Sequence, residues 1–490
     1  MRVSGRGDGG LFRPTDPVHT LSKAMPGSAR GAEQSRLPGR SSYQDERARI
    51  ALDAARRMSS FRLTMAWGGA ASALVYVFFG ADLSLLYGTL NVLIGIAAAS
   101  ILFGVMGGIL AAYAVRTGSS SSALSLVVFG SVGGAVPTLV LALAGTYYAV
   151  FEGSVLAVAG AKVIPGLSYP VAALIVVLYS APLAAGGVQR FLDKLNGLLL
   201  PFYLSGLLLI LILIIAHALH LAHSLAIVGP GRARVASVRS GAIWRSFTAC
   251  FGFLVLMMVT MDFARFGRMS DQRYHARVAF GVPFYLLAFV LSGFVGVLLV
   301  AAAGPAHITE TSVVDSSLAV LGATGGLAWV FVTQTRINLA NFYVSTLNLQ
   351  AALEELLLVR VPRIVCALAV AITVLILMRA TDVFSYLLTA LAYQGVFITA
   401  WAGVALAHVC RYPLGRGAVK ADVGDRSSRG HPESPRFQFS GIAAWLVSVT
   451  AGTCLMLAPA GWTTLSAPAT LVLAACLYWL MQGRRDVRGV

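Results

Sequence analysis

From residue 63 onward the chain is a succession of long apolar runs divided by short polar turns. Twelve stretches stand out, at about 63–81, 88–114, 126–158, 167–187, 195–216, 244–262, 278–303, 319–348, 361–378, 383–409, 438–457 and 462–482. Most reach the ~20 residues a helix needs to cross a bilayer. An apolar run in lipid has to satisfy its own backbone hydrogen bonds, so each predicts a transmembrane helix. They are numbered here helices 1 to 12. The fold class that follows is an all-α polytopic membrane protein with twelve transmembrane helices. Residues 1–62 hold no apolar run and are rich in Arg, Gly, Ser and Pro, the composition of a disordered cytoplasmic tail. They lack the apolar region of a cleaved signal peptide, and Ser41–Arg57 can form a short helix at the membrane surface. A ten-helix core is expected over 63–409, in two halves of similar length at 63–216 and 244–409. A polar cytoplasmic linker (410–437), a last pair of helices (438–482) and a cytoplasmic tail (483–490) complete the chain.

Composition agrees with this pattern. Hydrophobic residues make up 57% of the 490, charged residues 12%, and the mean hydropathy is +0.78. A soluble domain carries about 25% charged residues, so soluble enzyme and DNA-binding classes are excluded as first readings. The net charge of +17 has another origin. With the N-terminus inside, 30 of the 37 Lys and Arg fall on cytoplasmic segments and six outside, and Arg336 lies within a span. That asymmetry predicts both termini in the cytoplasm, and the membrane expected is the cell's inner (plasma) membrane. Cytoplasmic charge of this kind is drawn to anionic headgroups of the lipid bilayer, and no nucleic-acid partner is needed to explain it. The five Cys are scattered in or beside apolar segments with no CxxC pair, so neither a disulfide framework nor a zinc site is indicated.

What lipid does not require is more informative. Ionisable residues and helix breakers inside spans cost free energy and mark cavities or pathways. Helix 1 carries Gly68-Gly69, and helix 6 carries Gly252 in the corresponding place five helices later. Matched glycine interruptions in two halves point to a transporter with discontinuous helices, whose breaks should lie near Gly68–Gly69 and Gly252. Helix 3 holds Tyr147 and Tyr148, an aromatic wall with hydroxyls, and the intramembrane carboxylate Glu152. Glu152 can carry a proton, touch substrate or pair with an Arg. In helix 8, Asn338 and Asn341 stand at i, i+3 on a shared face, with Arg336 beside them in mid-span. Such an Arg must face a cavity or a carboxylate, since its insertion costs at least ~2.5 kcal/mol. His217, His220 and His223 have a spacing able to hold a metal, but without Cys or carboxylate nearby they are better read as interfacial. Gly104/Gly108 and Gly130/Gly134 read as helix-packing pairs. No catalytic constellation, cofactor motif or metal site is evident, so no enzyme activity is expected.

The segment Thr260-Met261-Asp262-Phe263-Ala264-Arg265-Phe266-Gly267-Arg268 resembles the end of helix 6 in the nucleobase–cation symporter family, which includes cytosine, purine, hydantoin and allantoin permeases. The run Gln334–Leu347 resembles that family's Asn-rich helix 8, and Gly145–Val150 its helix 3 signature. The resemblance covers residues 60–480. It implies a leucine-transporter-like five-plus-five inverted repeat with two extra helices, and alternating access of a planar heterocycle bound between helices 1, 3, 6 and 8. It puts Phe253 at the stacking aromatic, Asn338 and Asn341 at the amide contacts, and Gly69 and Gly252 at the broken backbone of the substrate site. The sequence departs from the pattern twice. Thr146 stands at the family's helix 3 Trp, which passes stacking to Tyr147 or Tyr148. Arg336-Ile337 stands where the family's sodium site has hydroxyl residues, so sodium coupling is not expected and protons, carried by Glu152, are the alternative.

A secondary transporter (permease) of a nucleobase or related planar nitrogen heterocycle such as cytosine, a purine or allantoin is therefore expected. Tyr147, Tyr148 and Phe253 would hold the ring, and the two Asn would supply donor and acceptor to its edge. A transporter of the same fold for an amine, amino acid or vitamin precursor, and a transport-incompetent sensor or scaffold, are the rivals.

Overall fold

The computed structural model describes residues 57–185, 192–220, 238–303, 310–357, 359–380, 387–411 and 435–487. Most of the 1–62 tail, the 410–437 linker, the side chains of His217 and His220, the whole of His223 and the last residues of the chain lie outside them. Among the described residues the structure is helical, without a β-strand; one isolated bridge joins Met58 to Gly267.

Among the described residues, ten helices are long and apolar enough to cross a membrane. Two shorter apolar helices, Tyr169–Leu183 and Ser466–Gln482, stand where helices 4 and 12 were expected. The predicted stretches are thus all met by helices, with shifted ends. Helix 3 begins at Ala135 rather than at 126, because Gly130, at φ 92°, separates it from a short preceding helix, Ser121–Phe129. Helix 7 begins nine residues early, at Met269, in a polar segment that hydropathy does not register. Helix 8 is longer than expected, Glu310–Leu357, and is broken at Gly322, whose φ of 75° and ψ of 161° leave the helical region.

Helix 1 is broken as expected. Its first half, Ser60–Gly68, passes through a 3-10 turn, Gly69–Ser72, and the extended Ala73 into a second half, Leu74–Tyr87. Helix 6 departs from expectation. Around Gly252 it tightens into a 3-10 segment, Cys250–Leu254, between Ser240–Ala249 and Val255–Ala264, and its flanking dihedrals stay helical. It is over-wound rather than unwound, because i→i+3 bonding keeps most of the backbone paired inside the segment.

Small residues let these helices approach closely, as lipid-embedded packing favours. A Cβ on Gly80 of helix 1 would collide with Gly293 of helix 7, and one on Gly296 with the Val77 carbonyl. The buried aromatics Phe78, Phe103, Phe151, Phe251, Phe263 and Tyr285 fill the space around the two interrupted helices. At one end of the bundle the start of helix 1 is tied down. Arg57 Nη1 donates to the Val115 and Gly267 carbonyls at 2.6 and 2.7 Å. Arg62 pairs with Asp193 of helix 5 at 2.6 Å. The start of helix 1, the end of helix 2, the start of helix 5 and the end of helix 6 therefore share one end, as the alternation of spans requires. There Asp262 is buried and accepts the Ser121 N–H and hydroxyl at 2.9 and 2.8 Å, which pins helix 6 to the N-terminus of the short helix.

Candidate functional site

The break in helix 1 frees backbone carbonyls that no water in the bilayer core can serve. Four side chains serve them instead. Asn196 of helix 5 donates to Ala66 O at 3.0 Å, and Arg336 Nη2 of helix 8 to Gly68 O at 3.1 Å. Ser72 folds back onto Gly69 O at 2.7 Å, and Tyr203 of helix 5 reaches Ala71 O at 3.3 Å. Gly69 must be glycine here, because a Cβ would strike the Asn196 amide and the Arg336 carbonyl.

Arg336 is fully buried. Its guanidinium also lies over the Tyr203 ring, 4.9 Å from the centroid, a favourable cation–π placement. The carboxylate alternative raised for it in the sequence is not met: Glu152 binds elsewhere. Glu152, also fully buried, accepts the Gln334 side-chain amide at 2.6 Å and the Val75 N–H at 3.4 Å. Val75 opens the second half of helix 1, where the helix dipole presents positive charge, and Gly68 ends the first half, where it presents negative charge. The two buried ionisable groups thus sit at opposite ends of the break, the acceptor at the amide end and the donor at the carbonyl end.

Between these elements lies a cavity of about 50 Å³. Its walls include Trp67 and Tyr76 of helix 1, Tyr148 and Glu152 of helix 3, Phe253 of helix 6 and Asn341 of helix 8. Tyr148 and Phe253 have nearly parallel rings, 24° between planes and 6.5 Å between centroids. The Asn341 Nδ2 and Trp67 Nε1 groups have no protein acceptor among the described residues.

The sequence-level candidates therefore divide. Tyr148, Glu152, Phe253 and Asn341 line the cavity. Tyr147 does not: one residue along a helix turns the side chain by about 100°, and its ring instead meets the edge of Tyr148 at 5.8 Å. Asn338 also lies off the wall, its amide 3.5 Å from where a Cβ on Gly153 would stand, in the contact between helices 8 and 3. Gly252 is held outside the cavity against Leu391 of helix 10, and its carbonyl accepts from Gln394 at 2.7 Å. Gly69 lies behind the wall, between Arg336 and Asn196.

Asn196, Tyr203, Ser72, Trp67 and Tyr76 were not picked out from the sequence, and neither were two amides that join helices. Gln334 stands inside the quoted helix 8 run, yet its partnership with Glu152 has no local signature. Gln394 donates to both Tyr148 Oη, at 2.8 Å, and Gly252 O, so one amide joins helices 3, 6 and 10. Its sole sequence signal is an uncharged amide inside an apolar stretch.

No protein-family model matches the sequence, and no curated protein does. Solved structures do match. Mhp1, a nucleobase-cation-symport-1 family transporter in a closed conformation with bromovinylhydantoin bound, aligns with a TM-score of 0.65 at 16% identity, over 88% of this chain and 93% of that one. Mhp1 in its inward-facing conformation aligns with a TM-score of 0.61 at 15% identity, over 88% and 92%. A manganese transporter of Eremococcus coleocola aligns with a TM-score of 0.49 at 15% identity, over 87% and 95%. The chain has the leucine-transporter-like fold of Mhp1, and it is at the level of the fold that its resemblance to the nucleobase–cation symporters stands.

Proposed function

We propose that this protein is a secondary transporter that moves a small planar nitrogen heterocycle, a nucleobase or a relative of one, by alternating access without sodium. The observation that carries the proposal is the near-parallel pair Tyr148 and Phe253 lining a cavity edged by Asn341 and Glu152. Rings that border a cavity offer a flat heterocycle aromatic surface to stack on. Asn341 offers a donor and an acceptor to the ring edge, and the Glu152 carboxylate accepts further N–H groups.

The charge arrangement bears on the rivals. A substrate carboxylate would seek the N-terminus of the second half of helix 1. Glu152 occupies that amide end through Val75, so the place a substrate carboxylate would take is already filled by a side-chain acceptor. Arg336 fills the position at Gly68 O with a fixed cation, which supports coupling to protons or to the substrate gradient alone. The 30-to-6 charge asymmetry supports both termini in the cytoplasm of a plasma membrane. Uptake of labelled cytosine, uracil, adenine, hypoxanthine, hydantoin and allantoin into vesicles is the test, with amino acids as controls. Accumulation of an amino acid and of none of the heterocycles would overturn the proposal.

A further inference from the structure

Away from the central cavity, helices 2 and 7 form a groove of about 620 Å³. Its shape comes from glycine and from a helix irregularity. Gly104 and Gly108 lie on the face of helix 2 that helix 7 crosses: a Cβ on Gly104 would strike the Val282 backbone, and one on Gly108 the Ala276 carbonyl. Beside that contact helix 7 widens into a π-helical turn, His275–Ala279, an irregularity often found where helices serve a function.

The walls are of two kinds. Val105, which is exposed on the bundle's outer face, and Ile109 make the inner part apolar. Arg116, Arg273 and Arg277 gather at the other end. From Gly104 to Arg116 is about 18 Å along a helix rising 1.5 Å per residue, close to the ~15 Å depth of one hydrocarbon leaflet. The arginines thus stand at headgroup level, at the end of the bundle where Arg57 meets the Val115 carbonyl. Arg273 and Arg277, at i and i+4, share a face. The ion pairs recorded among the described residues, Arg62–Asp193 and Lys162–Asp315, involve neither of them. The nearby carboxylate Asp271 accepts from the Ser270 hydroxyl at 2.9 Å.

We propose that this groove binds an anionic phospholipid, its phosphate held by Arg116, Arg273 and Arg277 and an acyl chain lying along Val105 and Ile109 beside Gly104 and Gly108. Basic pockets between helices at a membrane face have the chemistry to hold such headgroups. A free phosphate would use the arginines alone and leave the apolar part of the groove without a role. The site is independent of the transported substrate.

The test is native mass spectrometry and thermal unfolding of the full chain, titrated with dioleoyl phosphatidylglycerol, dioleoyl phosphatidylcholine and inorganic phosphate. Phosphatidylglycerol is expected to bind in preference to phosphatidylcholine and to raise the unfolding temperature, and phosphate alone to do neither. R273Q/R277Q should weaken phosphatidylglycerol binding roughly 30-fold, about 2 kcal/mol at about 1 per basic residue. V105W, which fills the groove and keeps every arginine, should also weaken it. R277Q alone, the milder change, should show a fraction of the double variant's effect and serves if the double variant fails to fold. Equal binding of the two lipids, full binding in R277Q and V105W, or an equal thermal shift with inorganic phosphate would each overturn the proposal.

Discussion

Sodium is expected to have no direct part in transport, and Arg336 is where that expectation can be tested. Its Nη2 stands 3.1 Å from Gly68 O at the break in helix 1, and the side chain is fully buried. A sodium ion bound to the same carbonyl would lie within about 4 Å of the guanidinium. At an effective dielectric near 20, two unit charges at that distance repel by roughly 4 kcal/mol, close to 1,000-fold in affinity. A millimolar site would become a molar one. The assay is substrate uptake into vesicles at fixed pH and fixed membrane potential, with sodium or choline outside. Wild-type initial rates should agree in the two salts. Replacing Arg336 by Ser removes the repulsion and supplies a hydroxyl ligand, so a share of uptake should become sodium-dependent. The change also removes a charged hydrogen bond worth about 1.5–3 kcal/mol, so monodispersity and unfolding temperature have to be followed alongside. A wild-type rate that climbs steeply with an inward sodium gradient would refute the reasoning outright.

Phe253→Ala should weaken heterocycle binding by about 1–3 kcal/mol, the range for base–aromatic stacking, measured by calorimetry in detergent; unchanged affinity would mean the ring binds elsewhere. Glu152→Gln should keep substrate exchange across the membrane and lose accumulation driven by a proton gradient, read in counterflow and gradient-driven uptake; accumulation at the wild-type level would remove Glu152 as carrier. Gln394→Leu cuts the tie between Tyr148 and Gly252 and should cost about 1–3 kcal/mol of stability through two lost hydrogen bonds, read as a lower unfolding temperature, while Tyr147→Phe, off the cavity wall, should leave binding as it is. Asp262→Ala leaves the Ser121 N–H without its acceptor and should lower the unfolding temperature, by about 1.5–3 kcal/mol of stability for a charged acceptor.

Much of the fold was legible because lipid imposes a simple rule on sequence. Apolar length marks the helices, and the double glycine marks the break at Gly68–Gly69. The ends of helices 3 and 7 were less legible. A polar turn such as Gln272–Tyr274 continues a helix past the point where hydropathy falls, and a positive-φ residue such as Gly130 stops one inside an apolar run. Gly252 illustrates a further limit, since a glycine signals tolerance of a changed helix without saying whether the backbone opens or tightens. In the site, residue type was informative and direction was not. Tyr147 and Tyr148 are equivalent in sequence, and only the rotation of helix 3 decides which one faces Phe253. Asn338 and Asn341 were assigned a common face, yet about 60° of rotation between them divides the cavity wall from the contact with Gly153. Gln394 was passed over because its role depends on two groups from distant helices, Tyr148 Oη and Gly252 O, that no spacing along the chain can reveal.

The polarity of the broken helix ties these particulars together. Glu152 and Arg336 are an acidic and a basic group buried in one bundle, and the simplest expectation is that they pair with each other. They do not pair. Each is held by one half of helix 1, the guanidinium at the carbonyl end and the carboxylate at the amide end. Interactions of a charge with a helix end are worth about 0.3–1 kcal/mol at a surface and up to ~2 kcal/mol where partly buried. Two such contacts help offset the cost of placing ionisable groups in the membrane. In this fold the half-helix ends are where ions and charged substrate groups are expected to dock. Here the protein's own side chains occupy both ends. What is left for a ligand in the cavity is aromatic surface, one amide and the outer face of a carboxylate, which is the complement of a neutral or cationic ring rich in N–H groups.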